Sequence, residues 1–223
     1  MTLLRITSFQ IPLPFIKCVV FFLCLVPFAT LIYDAVAANL GANPIEAITE
    51  RTGEWALRFM LITLAVSPLR QWLGLKWVRK VRRMLGLYAF FYASLHVITY
   101  VVLEQFFDWA TIVSELLERP YLTVGMVAFL TMIPLALTSF NLAIKWLGKV
   151  RWLSLHRLVY LSATACVLHY LWLVKADYRE PVIYALVLVA LFTVRAVNNR
   201  NIKPLASMHD GDKQAGRSVS RLR

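Results

Sequence analysis

The sequence predicts an all-α integral membrane protein, a bundle of six transmembrane helices with both termini in the cytoplasm. Hydrophobic residues make up 60% of the 223-residue chain, and charged residues make up only 16%. A soluble domain of this size could not cover so much apolar surface with polar groups. The lipid bilayer is therefore the expected solvent for most of the chain.

Six segments are apolar enough to cross the bilayer, whose hydrocarbon core of about 30 Å takes about 20 helical residues to span. They cover residues 15–37, 54–72, 84–103, 122–140, 152–174 and 181–197. This divides the chain into a cytoplasmic N-terminal segment (1–14), a six-helix transmembrane domain (15–197) and a cytoplasmic tail (198–223). The tail is polar and is expected to be disordered.

The net charge of +12 is concentrated at one end of the predicted bundle. The loop after the second span reads Lys76-Trp77-Val78-Arg79-Lys80-Val81-Arg82-Arg83, and further basic residues follow the fourth and sixth spans. Acidic residues outside the tail fall at the other end: Asp34, Glu46, Glu50, Glu54, Glu104, Asp108, Glu115, Glu118, Asp177 and Glu180. Basic loops favour the cytoplasm, so the charge indicates topology and suits contacts with lipid headgroups rather than nucleic acid.

The first apolar run could be either a cleaved signal peptide or a retained span, because Ala35-Val36-Ala37 resembles a signal-peptidase site. The run before it is longer than a typical signal-peptide core, so we expect a retained span. Cys18, Cys24 and Cys166 all lie in apolar runs, which argues against a disulfide framework and favours cysteines that pack as small hydrophobic residues.

Two histidines are predicted to lie at similar depths in the bilayer. His96 comes eight residues before Glu104, about 12 Å by helical rise, and His169 comes six residues before Lys175, about 9 Å. Because the third and fifth spans run in the same direction, these imidazoles could bind one haem iron from opposite sides. The alternative for any single histidine is a hydrogen bond to a neighbouring helix.

A third histidine, His156, lies thirteen residues before His169, about 19.5 Å closer to the cytoplasm. That distance suits a second haem, but the corresponding position before His96 is Arg83. On a straight helix the side chains of His156 and His169 would also lie roughly 140° apart. Alternatively, His156 and Arg157 contact haem propionates, a flavin phosphate or lipid headgroups.

Three segments carry a family resemblance. Residues 83–96 read RMLGLYAFFYASLH, residues 152–160 read WLSLHRLVY, and residues 168–175 read LHYLWLVK. They resemble the third and fifth helices of the MsrQ family, the haem-binding membrane subunits of bacterial periplasmic methionine sulfoxide reductase systems. Ser67-Pro68-Leu69-Arg70 also fits. The resemblance extends over nearly all of the chain up to about residue 198.

The resemblance implies a ferric-reductase-like transmembrane domain in the bacterial inner membrane. In that group two helices typically supply four histidines to two stacked b-type haems. Here Arg83 stands at the depth of the fourth histidine, so the chain would bind one haem, or two if His156 binds the second together with another ligand. The resemblance further implies FMN, for which no binding residues are recognisable. It implies a partner, MsrP, a periplasmic molybdenum-cofactor enzyme that reduces methionine sulfoxide in oxidised proteins. Electrons would come from the quinone pool or from a cytoplasmic flavin reductase.

Function is thus expected to be electron transfer to a catalytic subunit rather than catalysis by this chain. The sequence contains no G-x-G-x-x-G, P-loop, C-x-x-C or H-E-x-x-H motif, so electrons must arrive from another protein or a membrane-soluble carrier. The outer loop 108–121 is long enough to contribute to partner docking. Three alternatives stay open: a transporter with histidine proton relays, a membrane anchor without haem, and a haem protein with a different acceptor.

Overall fold

The computed structural model describes residues 12–74 and 77–198, and this part of the chain is helical with no β-strand. The helices are α1 (Leu13–Val36), α2 (Pro44–Leu73), α3 (Val78–Ile98), α4 (Trp109–Glu118), α5 (Pro120–Leu137), α6 (Asn141–Leu155), α7 (Leu158–Leu173) and α8 (Arg179–Asn198). A π-helical segment, Thr99–Glu104, continues α3. The all-α prediction is confirmed. Most of the predicted N-terminal segment and nearly all of the predicted tail lie outside the described residues.

Within the described residues, four helical segments are long and apolar enough to cross a membrane by length and composition: α1, Lys80–Glu104, α5 and α8. Helix α7 is apolar but only 16 residues long. Helix α2 has 30 residues, and its charged side chains lower its mean hydropathy. One of these, Arg58, donates to Glu54 at 2.8 Å and to the Tyr184 hydroxyl at 2.9 Å, so its charge is paired. The six-span count and the orientation of the termini stay predictions.

The ends of α2 follow from local sequence. Asn43 caps the N-terminus, where its side chain accepts from the Glu46 N–H at 3.4 Å and donates to the Glu46 carboxylate at 2.9 Å. Pro44 occupies the first turn, where its missing N–H leaves no intrahelical hydrogen bond unmade. Gly74 follows the last residue with φ of 65°, the left-handed conformation that glycine adopts at helix C-termini.

The expected continuous helix over residues 152–174 is wrong. Helix α6 ends at Leu155 and α7 begins at Leu158, with His156 and Arg157 in the intervening turn. Side chains tie this turn to the end of α5: the Trp152 indole N–H donates to the Thr138 carbonyl at 2.9 Å. The angle between His156 and His169 that a straight helix would impose therefore does not apply.

Two helix pairs form the centre of the structure, α2 with α3 and α5 with α7, and α3 contacts α5 between them. Helix α1 packs against the first pair through Tyr92, which is 1% exposed. The Tyr92 hydroxyl donates to the Cys24 carbonyl at 2.8 Å and accepts from the Phe28 N–H at 3.0 Å. These two backbone groups ordinarily bond each other within a helix, so Tyr92 inserts into the hydrogen-bond ladder of α1 beside Pro27.

Candidate functional site

The central feature of the bundle is a pair of facing imidazoles. His96 on α3 and His169 on α7 have ring centroids 6.2 Å apart and ring planes inclined at 76°. Both side chains are half-buried. The structure thus brings together the two histidines that the sequence placed at similar depths.

His96 is held by the helix that α3 packs against. Its Nδ1 lies 2.9 Å from the carbonyl oxygen of Thr49 on α2. One turn further along α2, Gly53 lies directly against the ring: a Cβ added there would meet Nδ1 at 3.0 Å and Cε1 at 3.1 Å. The lack of a side chain at Gly53 is what lets the imidazole approach the α2 backbone so closely.

His169 repeats this arrangement in the other helix pair. Its Nδ1 lies 2.7 Å from the carbonyl oxygen of Tyr121 on α5. Gly125, again four residues after that carbonyl, lies against the ring: an added Cβ would meet Nδ1 at 2.8 Å and Cε1 at 2.9 Å. Each histidine is therefore fixed by a backbone carbonyl and a glycine of its neighbouring helix.

The two carbonyl contacts determine which nitrogen carries the proton. A carbonyl oxygen can only accept a hydrogen bond, so Nδ1 of each neutral imidazole is the donor. The Nε2 atoms of His96 and His169 then present lone pairs, the state in which imidazole binds a metal ion. A hydrogen bond from the other ring nitrogen also orients a metal-bound histidine and raises its basicity.

The separation of the two rings leaves room for one metal ion between them. With metal–imidazole bonds of about 2 Å, an ion held by one nitrogen of each ring would keep the ring centroids about 6 Å apart. The 6.2 Å between His96 and His169 fits this requirement. The donor set and the glycine contacts are therefore compatible with a haem whose iron is bound by both imidazoles.

His156 lies apart from this pair, in the turn between α6 and α7. Its Nε2 is 3.1 Å from the Thr138 hydroxyl, and its ring lies against Trp152 with centroids 3.9 Å apart. Arg83 also contacts Trp152, with its guanidinium carbon 5.8 Å from the ring centroid, and donates to Asn141 at 2.6 Å. In this structure His156 and Arg83 are thus both engaged by neighbouring side chains.

Sequence reasoning missed four residues of the site: Thr49, Gly53, Tyr121 and Gly125. The sequence does offer one indication of the two glycines. A glycine in or beside an apolar helix weakens that helix, so its presence suggests that another group packs closely against it. Nothing in the sequence indicated which glycine would meet which histidine.

Comparison with known protein families matches residues 52–167 to the ferric reductase like transmembrane component family. That range begins one residue before Gly53 and contains His96, Gly125 and His156. It ends two residues before His169.

Comparison with individual proteins finds close relatives that align over most of both chains. A protein from Rhodospirillum rubrum is 48% identical over 178 residues, which cover 80% of this chain and 86% of the relative. One from Azospira oryzae is 50% identical over 183 residues, covering 82% and 78%. One from Herminiimonas arsenicoxydans is 45% identical over 185 residues, covering 82% and 85%. Each of the three is named protein-methionine-sulfoxide reductase heme-binding subunit MsrQ.

Proposed function

Because the chain belongs to the MsrQ family of ferric-reductase-like transmembrane proteins, we propose that it is a haem b-binding electron-transfer subunit of a bacterial inner-membrane protein-methionine-sulfoxide reductase system. It delivers electrons to a periplasmic catalytic subunit, the molybdenum-cofactor enzyme MsrP. It does not itself reduce methionine sulfoxide.

The observation that carries the proposal is the facing pair His96 and His169, with ring centroids 6.2 Å apart and each Nδ1 bonded to a backbone carbonyl. A haem held by these residues would supply one-electron redox chemistry. The carbonyls of Thr49 and Tyr121 keep each Nε2 unprotonated and aimed away from its own supporting helix. Gly53 and Gly125 leave the space in which the rings can take that orientation.

Buried apolar side chains accompany the histidines on α3 and α7. They include Ala93, Ala163, Ala165 and Val167. Apolar surroundings of this kind would lower the local dielectric and so would tune the redox potential of a bound iron.

The position of the pair supports electron delivery to the periplasm. The Thr49 carbonyl lies near the N-terminus of α2, which carries Glu46 and Glu50, and the Tyr121 carbonyl lies near the start of α5, three residues after Glu118. The charge distribution predicts that this end of the bundle is periplasmic. Helix α4 lies at the same end, and the region expected as the docking loop 108–121 is largely this helix. Its exposed residues are suited to contact the partner. The electron donor is the quinone pool or a cytoplasmic flavin reductase.

His156 supports a second haem less directly. Binding iron there would require its Nε2 to exchange the Thr138 hydroxyl for the metal. We therefore propose one haem, bound by His96 and His169. The haem count per chain decides whether His156 binds a second one. FMN belongs to the proposal through the family resemblance alone.

The test is the visible spectrum of the detergent-purified full chain, oxidised and then reduced with dithionite, together with a pyridine haemochrome count. The proposal expects a reduced α-band characteristic of b-type haem and at least one haem per chain. A colourless protein after expression with adequate haem supply would overturn it and favour a transporter or a membrane anchor.

A further inference from the structure

A cavity of about 210 Å³ lies at the end of the bundle opposite the acidic residues, between α2, α3 and α8. Arg70 near the end of α2, Arg82 near the start of α3 and Arg195 near the end of α8 all line it. Its volume is several times the roughly 30 Å³ that one water molecule occupies in the liquid, so a phosphate-sized group fits.

The other polar lining residues can donate hydrogen bonds as well. Ser67 contributes a hydroxyl, and Gln71 and Asn198 contribute side-chain amides that are hydrogen-bonded to each other across α2 and α8. Arg195 is held in place by Tyr160, with its guanidinium carbon 4.9 Å from the ring centroid. Tyr160 and Phe192 line a small apolar cavity that shares Arg195 and Pro68 with the larger one, so the arginines stand at the edge of an apolar core.

The charge of this cavity differs from that of the opposite end of the bundle. At the opposite end, arginines pair with carboxylates, as in Arg51 with Asp34, Arg58 with Glu54 and Arg119 with Glu115. The three arginines of the cavity converge with no carboxylate among the described residues that line it. Bringing three positive charges together at an apolar edge is costly unless an anion accompanies them.

We propose that this cavity is a binding site for a phosphate group, carried by an anionic phospholipid or by a soluble phosphate compound. Planar guanidinium groups donate paired hydrogen bonds that match phosphate oxygens. The cavity also lies at the bundle end that the basic loops assign to the cytoplasmic headgroup level, where basic pockets between transmembrane helices take up lipid headgroups. The site is separate from His96 and His169 and does not depend on the haem proposal.

The experiment measures thermal unfolding of the full-length chain in a nonionic detergent. Inorganic phosphate is titrated against chloride at equal ionic strength, and phosphatidylglycerol is titrated against phosphatidylcholine. The variants are Arg70→Gln, Arg82→Gln and Arg195→Gln. Lys149→Gln is the matched control, because it removes an exposed positive charge from the α6 region that does not line the cavity. Arg82→Lys adds a variant that keeps the charge and loses the paired donors.

At least one probe should raise the unfolding midpoint of the wild-type protein, since a ligand that binds only the folded state stabilises it. Each arginine-to-glutamine change should weaken the apparent affinity roughly tenfold to a hundredfold, because hydrogen bonds to charged groups are strong. Lys149→Gln should retain the wild-type affinity. A response to inorganic phosphate alone would identify the ligand of the cavity as a soluble phosphate compound. A response to phosphatidylglycerol alone would identify it as a lipid headgroup.

Two results would overturn the proposal. The wild-type protein could respond to neither probe. The arginine variants could bind as tightly as Lys149→Gln, which would mean nonspecific screening. The haem spectrum of each variant, recorded in parallel, separates these results from any failure at the histidine pair.

Discussion

His96 and His169 face each other with ring centroids 6.2 Å apart, and each is held in place by the neighbouring helix of its own pair. His96 is fixed by the α2 backbone and His169 by the α5 backbone, each through a carbonyl four residues before a glycine. Two rigid helix pairs thus present the same local arrangement from opposite sides. A ligand pair organised in this way should bind iron with little rearrangement of the protein.

Removing either imidazole should remove the haem. His96→Ala and His169→Ala each delete one of the two proposed axial ligands, so haem per chain should fall close to zero in the pyridine haemochrome count. His156→Ala is the control and should keep the haem held by the pair. If His96→Ala retained a wild-type spectrum and stoichiometry, the assignment of the axial ligands would be wrong.

The two glycines should be needed for haem binding although they carry no donor atoms. Gly53→Ala and Gly125→Ala would push against His96 and His169, where an added Cβ would lie 3.0 Å and 2.8 Å from Nδ1. Displacing either ring would break its hydrogen bond to the supporting carbonyl, and loss of such a bond typically weakens metal affinity about tenfold to a hundredfold. Haem occupancy and midpoint potential are the measurements, and the larger change is expected at Gly125.

Gly86→Ala is the matched control for these two variants. An added Cβ there would meet only the Thr63 methyl group at 3.6 Å, an ordinary van der Waals contact. Its haem occupancy should equal that of the wild-type protein. Equal losses in all three variants would indicate general helix disruption instead of specific positioning of the imidazoles.

The Tyr92 hydroxyl should stabilise the packing of α1 on α3. Tyr92→Phe removes its bonds to the Cys24 carbonyl and the Phe28 N–H, and we expect it to lower the free energy of unfolding by about 1–3 kcal/mol. Tyr88→Phe, which loses one bond of 3.1 Å to the Phe21 carbonyl, should cost less. Detergent denaturation of both variants checks this, and an equal or larger loss for Tyr88→Phe would contradict it.

Charge reversal on the exposed face of α4 should slow electron delivery without altering the haem. Glu118 is exposed, so Glu118→Lys changes the surface that we propose for docking. Glu115 is unsuitable for this purpose, because it accepts hydrogen bonds from Tyr100 and Gln105 and pairs with Arg119. Stopped-flow oxidation of the reduced protein by the periplasmic reductase should become severalfold slower and change its salt dependence. An unchanged rate would exclude Glu118 from the docking surface.

The start of α4 should loosen in acid. Hydrogen bonds from the Thr111 backbone N–H and hydroxyl and from the Ala110 N–H hold the pKa of Asp108 below its ordinary value. Because the folded pKa is the lower one, the cap stabilises α4 fully above the unfolded value of about 3.9. This stabilisation is lost as the pH falls through the folded pKa. Hydrogen–deuterium exchange of residues 109–118, corrected for the intrinsic rate at each pH, should show this loosening.

Asp108→Asn should reduce that pH dependence, because the asparagine oxygen caps a helix without titrating. Asp108→Ala should expose α4 to exchange at every pH. If Asp108→Asn retained the full acid-induced increase in exchange, a different group would be responsible.

By itself the sequence determined the all-helical class and the similar depth of His96 and His169, because both depend on local quantities. Apolar composition reflects transfer of each residue from water to lipid, and the helical rise converts positions along the chain into depth. The family could also be recognised from three short segments around the histidines. These features do not require knowing which helices touch.

Only the tertiary structure decided what surrounds the histidines. Thr49, Gly53, Tyr121 and Gly125 meet the imidazoles because α2 packs on α3 and α5 packs on α7 at a particular rotation and height. The turn at His156, where one helix was expected, depends on contacts that Thr138, just after α5, makes with Trp152 in α6 and with His156. These contacts depend on how two helices pack together. The apolar pattern of a single span is nearly uniform around its circumference, so it does not indicate which face packs against which helix. For that reason the ligands were visible in the sequence and their supporting groups were not.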